Sequence, residues 1–241
     1  MSNSKLVKYL DRPVDRKLLH VVSQPVLVSN SLGKYLRKHL DLLKQFQLYL
    51  HFECRPGARF TDFYPWLNQN LRALLEKYNH LTLYIWLGTC DVTRKSGKFI
   101  SLLSDNSQFI VDKVVSHIDR YISIVKEFKK VKLVFLEIPP YSIVEWNRRR
   151  GHSDPESFLP QDKELTKIVD SINLHIRSVN NGLFVYSPRF KLDVLKYRKE
   201  KDKTQRVSFN FKLYLDGVHP SSMLARVWLK RLIENIFVHC S

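Results

Sequence analysis

The sequence predicts a three-layer α/β/α sandwich around a parallel sheet of roughly five strands. Three observations predict it. Short apolar or alternating runs at residues 21–28, 47–52, 81–87, 131–138 and 183–186 take turns with segments whose leucines, valines and isoleucines recur at helical spacing. One run, Leu81-Thr82-Leu83-Tyr84-Ile85-Trp86-Leu87, is apolar almost without a break, as a strand covered on both faces must be. The runs stop at Ser31, Gly57, Gly88 to Asp91 and Pro139, all on their carboxyl side, which is where parallel sheets hold their ligands.

Residues 1–20 are polar with scattered leucines and read as an N-terminal arm, a short helix around Val7 and Leu10 followed by a turn at Arg12-Pro13. Residues 21–241 read as one domain. Its first strand, 21–28, gives way to Ser29-Asn30-Ser31 and then to a helix reaching about residue 43 (Leu32, Tyr35, Leu36, Leu40, Leu43). A strand at 47–52 ends in Arg55-Pro56-Gly57-Ala58. A helix over 67–78 (Leu67, Leu71, Leu74, Leu75, Tyr78) leads into the strand at 81–87, which Gly88-Thr89-Cys90-Asp91 cuts off. The clearest helix covers 109–128 (Ile110, Val114, Ile118, Tyr121, Ile122, Val125). The strand at 131–138 then stops at Pro139-Pro140.

Residues 141–160 read as an irregular loop carrying Arg148-Arg149-Arg150, and a helix follows over 163–179. After a short strand at 183–186 the pattern dissolves through residue 213, with a charge run at 196–203. Tyr214-Leu215-Asp216-Gly217-Val218-His219-Pro220 opens a last helix over 221–237, capped by Ser221 or Ser222.

Composition narrows the function. The 241 residues, 44% of them hydrophobic, suffice for one sizeable core. The few glycines and prolines exclude a fibrous or low-complexity chain, and no internal period marks a solenoid. Lys and Arg outnumber Asp and Glu 40 to 23, so a net charge of +17 favours polyanions such as RNA, DNA or an anionic membrane surface. The same charge also describes a plain solvated surface. Three cysteines without metal or CxxC spacing point to a reduced, intracellular setting, cytoplasmic or nuclear. No secretory signal and no membrane-length apolar run is present, and no histidine has ligand spacing, so no metal or cofactor is assigned.

Two stretches can carry chemistry. A serine lifted at the end of a strand onto a helix start, as Ser31 is, can act as a nucleophile whose oxyanion is held by nearby N–H groups. It can equally be a plain helix cap. Asp216 and His219, three apart, can form a carboxylate–imidazole pair that takes a proton from a hydroxyl. Alone, Asp216 can simply form a turn. Arg148, Arg149 and Arg150, beside Trp146 and His152, either grip phosphates or form a basic lid over an acyl site. Lys196, Arg198 and Lys199 are the second candidate for polyanion contact. Trp66, with Phe60, Phe63 and Tyr64, reads as core or pocket wall.

Taken in order, four of these blocks resemble the SGNH (GDSL-type) hydrolase superfamily over about residues 22–238. The first block of that family, Gly-Asp-Ser, is Ser29-Asn30-Ser31 here; the second contributes a glycine, here Gly57. The third, Gly-x-Asn-Asp, is Gly88-Thr89-Cys90-Asp91, and the last, Asp-x-x-His, is Asp216-Gly217-Val218-His219. The resemblance implies a flavodoxin-like sandwich and an ester hydrolase in which Ser31 attacks, His219 shuttles the proton and Asp216 orients His219. It also implies an oxyanion hole from Ser31, Gly57 and the position of Cys90. Cys90 stands where the family has a donating asparagine, and a thiol is a weak donor. Loss of one such donor costs about 3 kcal/mol, which implies a slow enzyme. Related domains include retrotransposon-encoded esterases and a germ-plasm protein domain that keeps the fold without the triad and binds RNA. They make a nucleic-acid-binding module the alternative reading.

Overall fold

The computed structural model describes residues 2–14, 21–199 and 205–241. In chain order, helix α1 (Asn3–Leu10) precedes strand β1 (Gln24–Ser29), helices α2 (Ser31–Arg37) and α3 (Leu40–Gln45), and strand β2 (His51–Cys54). Helix α4 (Tyr64–Tyr78) and strand β3 (Leu81–Trp86) come next. A single turn α5 (Thr89–Val92) then opens a hairpin of β4 (Thr93–Ser96) and β5 (Phe99–Leu102). Helix α6 (Ser107–Lys126), strand β6 (Val131–Phe135) and helices α7 (Ile143–Arg149), α8 (Leu159–Gly182) and α9 (Lys191–Val194) follow. A second hairpin, β7 (Leu195–Lys199) and β8 (Gln205–Phe209), leads to the last helix, α10 (Ser222–His239).

The central sheet is parallel, four-stranded and ordered β2-β1-β3-β6. Because strand side chains alternate, each central strand feeds two cores. Val26, Val28, Leu83, Ile85, Leu133 and Phe135 face α4, α6 and α8. Leu27, Tyr84, Trp86 and Val134 face α2, α3 and α10 on the other side. β3 is buried along its whole length, which explains its unbroken apolar sequence. Trp86 and Trp228 of α10 meet edge to face at 5.8 Å and anchor the second core. Helix α1 joins that core through Leu6, and its carboxyl end is held by the buried Lys230 ammonium, which donates to the carbonyls of Tyr9, Leu10 and Arg12.

The expected fifth strand is corrected. Residues 183–186 make no ladder: Phe184 is left-handed at φ 56, and the N–H groups of Val185 and Tyr186 go to the Asn180 carbonyl and to His239. The free edge of β6 and its continuation is satisfied by side chains instead. Asn180 of α8 accepts from Phe135 N–H and donates to Phe135 C=O, and Asn173 does the same for Ile138. Ser187 accepts from Glu137 N–H. These buried amides do the work of a missing neighbour.

Three other expectations change. The helix after Ser31 breaks at Lys38-His39 into α2 and α3. The segment 141–160 is not irregular: it contains α7, whose cap Ser142 accepts from Glu145 N–H, and the start of α8. Residues 187–213 hold α9 and the β7–β8 hairpin. The charge run falls on that hairpin, with residues 200–204 outside the described ones, as are residues 1 and 15–20 of the arm.

Candidate active site

The end of β1 and the start of α2 are tied by short polar bonds. Ser29 Oγ is fully buried, donates to the Trp86 carbonyl (3.1 Å) and accepts from Gly33 N–H (3.1 Å). Asn30 caps α2, its Oδ1 accepting from Leu32 N–H at 3.0 Å. Gly33 lets the helix lie against the sheet, since a Cβ there would stand 2.6 Å from Cys54 Sγ and 2.7 Å from Ser29 Cβ. Ser31, the first helical residue, is left facing a cleft with its hydroxyl exposed to the interior of that cleft.

The other half of the site comes from the turn before α10. Asp216 Oδ1 accepts from the backbone N–H groups of Val218 (3.2 Å) and His219 (2.8 Å), the local turn that aspartate favours. Its Oδ2 lies 2.8 Å from His219 Nδ1, and His219 Nε2 lies 2.9 Å from Ser31 Oγ. With Nδ1–H donating to the carboxylate, Nε2 is left to accept from the serine hydroxyl. Residues 188 positions apart are thus joined in one hydrogen-bonded line. Burial alone would raise the Asp216 carboxyl. The bonds from the His219 ring and from the two backbone N–H groups outweigh it and hold the carboxyl below its ordinary value.

Gly217 makes the turn fit. It is left-handed at φ +84, and its carbonyl accepts from Ser142 N–H at 3.0 Å, docking the turn on the start of α7. The His219 ring is held between Tyr35, stacked at 4.9 Å, and Trp146, tilted at 5.7 Å. Arg150 lies over Trp146 at 4.4 Å and reaches Asp216 Oδ2 at 3.4 Å. Tyr35 escaped sequence reasoning. As one of several helically spaced apolar residues after Ser31, it carried no mark of its role.

Ser31, His219, Asn30, Gly57 and Cys90 line one cleft of about 330 Å³, with Ile100, Tyr141 and Trp146 as apolar wall and Arg59 and Lys95 as cations. Gly57 is left-handed at φ +77, and among the described residues no hydrogen bond engages its N–H. Gly88, at φ +108, packs so tightly on Ile138 that a Cβ would lie 2.5 Å from its Cδ1, which delivers Cys90 to the cleft. Cys90 Sγ is 3.9 Å from Asn30 Nδ2, its carbonyl accepts from Arg59 Nε (3.1 Å), and burial pushes its thiol up to about 11. A thiol so placed stays protonated near neutrality and is a poor nucleophile. The neighbouring Asp91 is buried, with Oδ1 accepting from Phe60 N–H and Oδ2 without a partner among the described residues.

The basic candidates separate. Arg148 is ion-paired with Glu145 and Glu156, and Arg150 reaches Asp216, both with exposed side chains. Arg149 and Lys196, distant in sequence, line a second groove together with Lys212, Phe209 and Phe211. Arg198 and Lys199 lie on β7, with side chains outside the described ones. Among the described residues no cluster of His, Cys, Asp or Glu has the form of a metal site, and no helix is long and apolar enough to cross a membrane.

No family model matches this chain, and no curated protein does. Solved structures do. A GDSL-like lipase from Bacteroides thetaiotaomicron superposes with a TM-score of 0.58 at 16% identity, covering 98% of this chain and 97% of its own. A lipase/acylhydrolase from Enterococcus faecalis gives 0.56 at 11% identity, over 91% of this chain and 97% of its own. A mutant of an acetyl-xylooligosaccharide esterase from Geobacillus gives 0.57 at 13% identity, over 90% and 96%. The likeness runs the length of the chain while the sequences have drifted apart, so what is shared is architecture: this chain has the SGNH hydrolase fold.

Proposed function

We propose that the protein is a serine ester hydrolase acting through Ser31, His219 and Asp216. The single observation that carries this reading is the unbroken line from the Asp216 carboxylate through His219 to the Ser31 hydroxyl, with bonds of 2.8 and 2.9 Å. His219 Nε2 takes the hydroxyl proton as Ser31 Oγ bonds to the acyl carbon. The carbonyl electron pair moves onto oxygen, with the Ser31 and Gly57 N–H groups assigned, on this reading, as donors to that charge. Return of the electron pair expels the alcohol, which receives the proton from His219. Water activated by the same imidazole then releases the acid and restores Ser31. Asp216, held ionised by its donors, steadies the imidazolium that forms in each half of the cycle. The lipase and acetylesterase names of the structural neighbours agree with ester chemistry, and a cleft of about 330 Å³ suits a short acyl group. Purified protein should hydrolyse a short-chain aryl ester and be labelled by a fluorophosphonate, and Ser31→Ala should abolish both. A wild-type protein that does neither overturns the reading.

A second reading is favoured by a specific observation. Arg149, Lys196 and Lys212 share one groove with the rings of Phe209 and Phe211, a combination of cations and stacking surfaces suited to single-stranded RNA or DNA. On this reading the +17 charge serves binding, beside or instead of hydrolysis. Affinity for a single-stranded oligonucleotide should fall steeply with salt and weaken in Lys196→Glu. No measurable affinity at low salt removes it.

A further inference from the structure

Two neighbouring side chains line the cleft that holds Ser31, and they are unequal as hydrogen-bond donors. Cys90 offers a neutral thiol, which donates weakly. Asn30 offers a carboxamide that is 1% exposed and borders the same cleft as Ser31 and Gly57. Its orientation is fixed. Oδ1 accepts from Leu32 N–H at 3.0 Å, and the reversed amide would set two donors against each other there. Nδ2 is therefore aimed the other way, where its nearest partner is Cys90 Sγ at 3.9 Å. Sulfur is a weak acceptor, so this contact leaves the amide's donating capacity largely unspent. A strong, immobile and underused donor next to the nucleophile is what a developing oxyanion requires.

We propose that Asn30 is a catalytic residue of this site, its Nδ2–H group donating to the acyl oxyanion and supplying the amide that position 90 lacks. The assignment rests on the ester-hydrolase reading and deepens it. The cap bond explains why the first block can carry asparagine without harm to α2: Asn and Asp accept from Leu32 N–H equally well. Only asparagine adds a donor. A carboxylate at position 30, with a thiol beside it, would place like charge near the oxyanion and leave only backbone groups to hold it.

The test separates cap from donor. Asn30→Asp keeps the cap and removes the donor; Asn30→Ser also keeps a cap, carries no charge and is too short to reach the cleft. Both should melt near the wild type while kcat for a short-chain aryl ester falls about 10²–10³-fold with KM changed only a few-fold. Adding Cys90→Asn to Asn30→Asp should recover at least tenfold of the loss, since an amide then stands in the neighbouring place of the thiol. Wild-type kcat in both position-30 variants overturns the assignment, and so does a double variant as slow as Asn30→Asp. A wild type with no Ser31-dependent turnover strikes the hydrolase reading itself, and is a different result from Ser31-dependent turnover indifferent to position 30.

Discussion

Gly217→Ala tests the geometry of the site without altering any group that would react. A Cβ at this position would stand 2.6 Å from Glu145 Cβ, 3.0 Å from the Trp146 backbone nitrogen and 3.1 Å from the Ser142 carbonyl. Two of these three neighbours are backbone at the start of α7 and cannot swing aside as a flexible side chain would. The backbone itself sits at φ +84, where an L side chain costs about 1–2 kcal/mol. Overpacking adds about 1–3 kcal/mol, for a total of roughly 2–5 kcal/mol. At about 2–4 °C per kcal/mol for a domain of this size, the melting temperature should fall by roughly 4–20 °C. The clash is relieved by moving the turn, and the turn carries both Asp216 and His219. A displacement of about 1 Å can cost on the order of 10² in rate. Circular-dichroism melting gives the first number. The rate of fluorophosphonate labelling of Ser31, measured well below the variant's own transition, gives the second. A variant that melts within about 2 °C of the wild type and labels at its rate would refute the account of how α7 seats this turn.

Two further outcomes follow from the same site. Asp216→Asn retains an oxygen for the Val218 and His219 N–H groups but turns an amide donor on His219 Nδ1, so the ring is held in the tautomer that cannot accept from Ser31. Turnover should fall about 10³–10⁴-fold with little change in melting, and a loss smaller than tenfold would deny the imidazole its role as base. Asp91 answers to pH through stability. Burial pushes its carboxyl up from 3.8 to about 6, so the folded chain holds that proton more tightly than the unfolded one. The associated stabilisation is complete below 3.8 and is lost as pH rises through about 6, on the order of 3 kcal/mol at most. Asp91→Asn cannot ionise and keeps the oxygen that accepts from Phe60 N–H. Its melting temperature relative to the wild type should therefore climb between pH 4 and 7, and a flat difference would contradict the burial argument.

Legibility in the sequence followed locality. β1, β3 and the helices α6 and α10 are written in patterns that a single face or pair of faces explains, and the structure places them within a few residues of expectation. The Ser31 and Asp216–His219 stretches were visible because both are turns with distinctive polar chemistry at the end of an apolar run. What hid were features that need a partner far away in the chain. Nothing in Asn173 or Asn180, two polar residues in a helical run, announces that they close the edge of β6. Without that knowledge Leu183-Phe184-Val185-Tyr186 looks like the natural strand to do so. Arg148, Arg149 and Arg150 read as one basic unit, yet at the carboxyl end of α7 they point to three fates: an acidic pair, a groove with Lys196, and the Asp216 cluster.

The same dependence on distant partners explains how a precise arrangement survives on turns. Ser31 does not stand on a loop. It is pinned through Ser29 Oγ and Asn30 Oδ1, which bond the backbone of β3 and α2. His219 is likewise fixed from three directions, by the Asp216 bond, by the Tyr35 stack from α2 and by Trp146 from α7. Tyr35 and Ser31 ride on one short helix, so any motion of α2 carries nucleophile and ring together and changes their separation little. Arg150 adds a counter-charge to Asp216 at the rim, where solvent screens it and its contribution is small. The rigidity of the pair thus comes from buried, short-range bonds to the sheet. The positive surface can therefore vary, or serve another partner, without disturbing the line from Asp216 to Ser31.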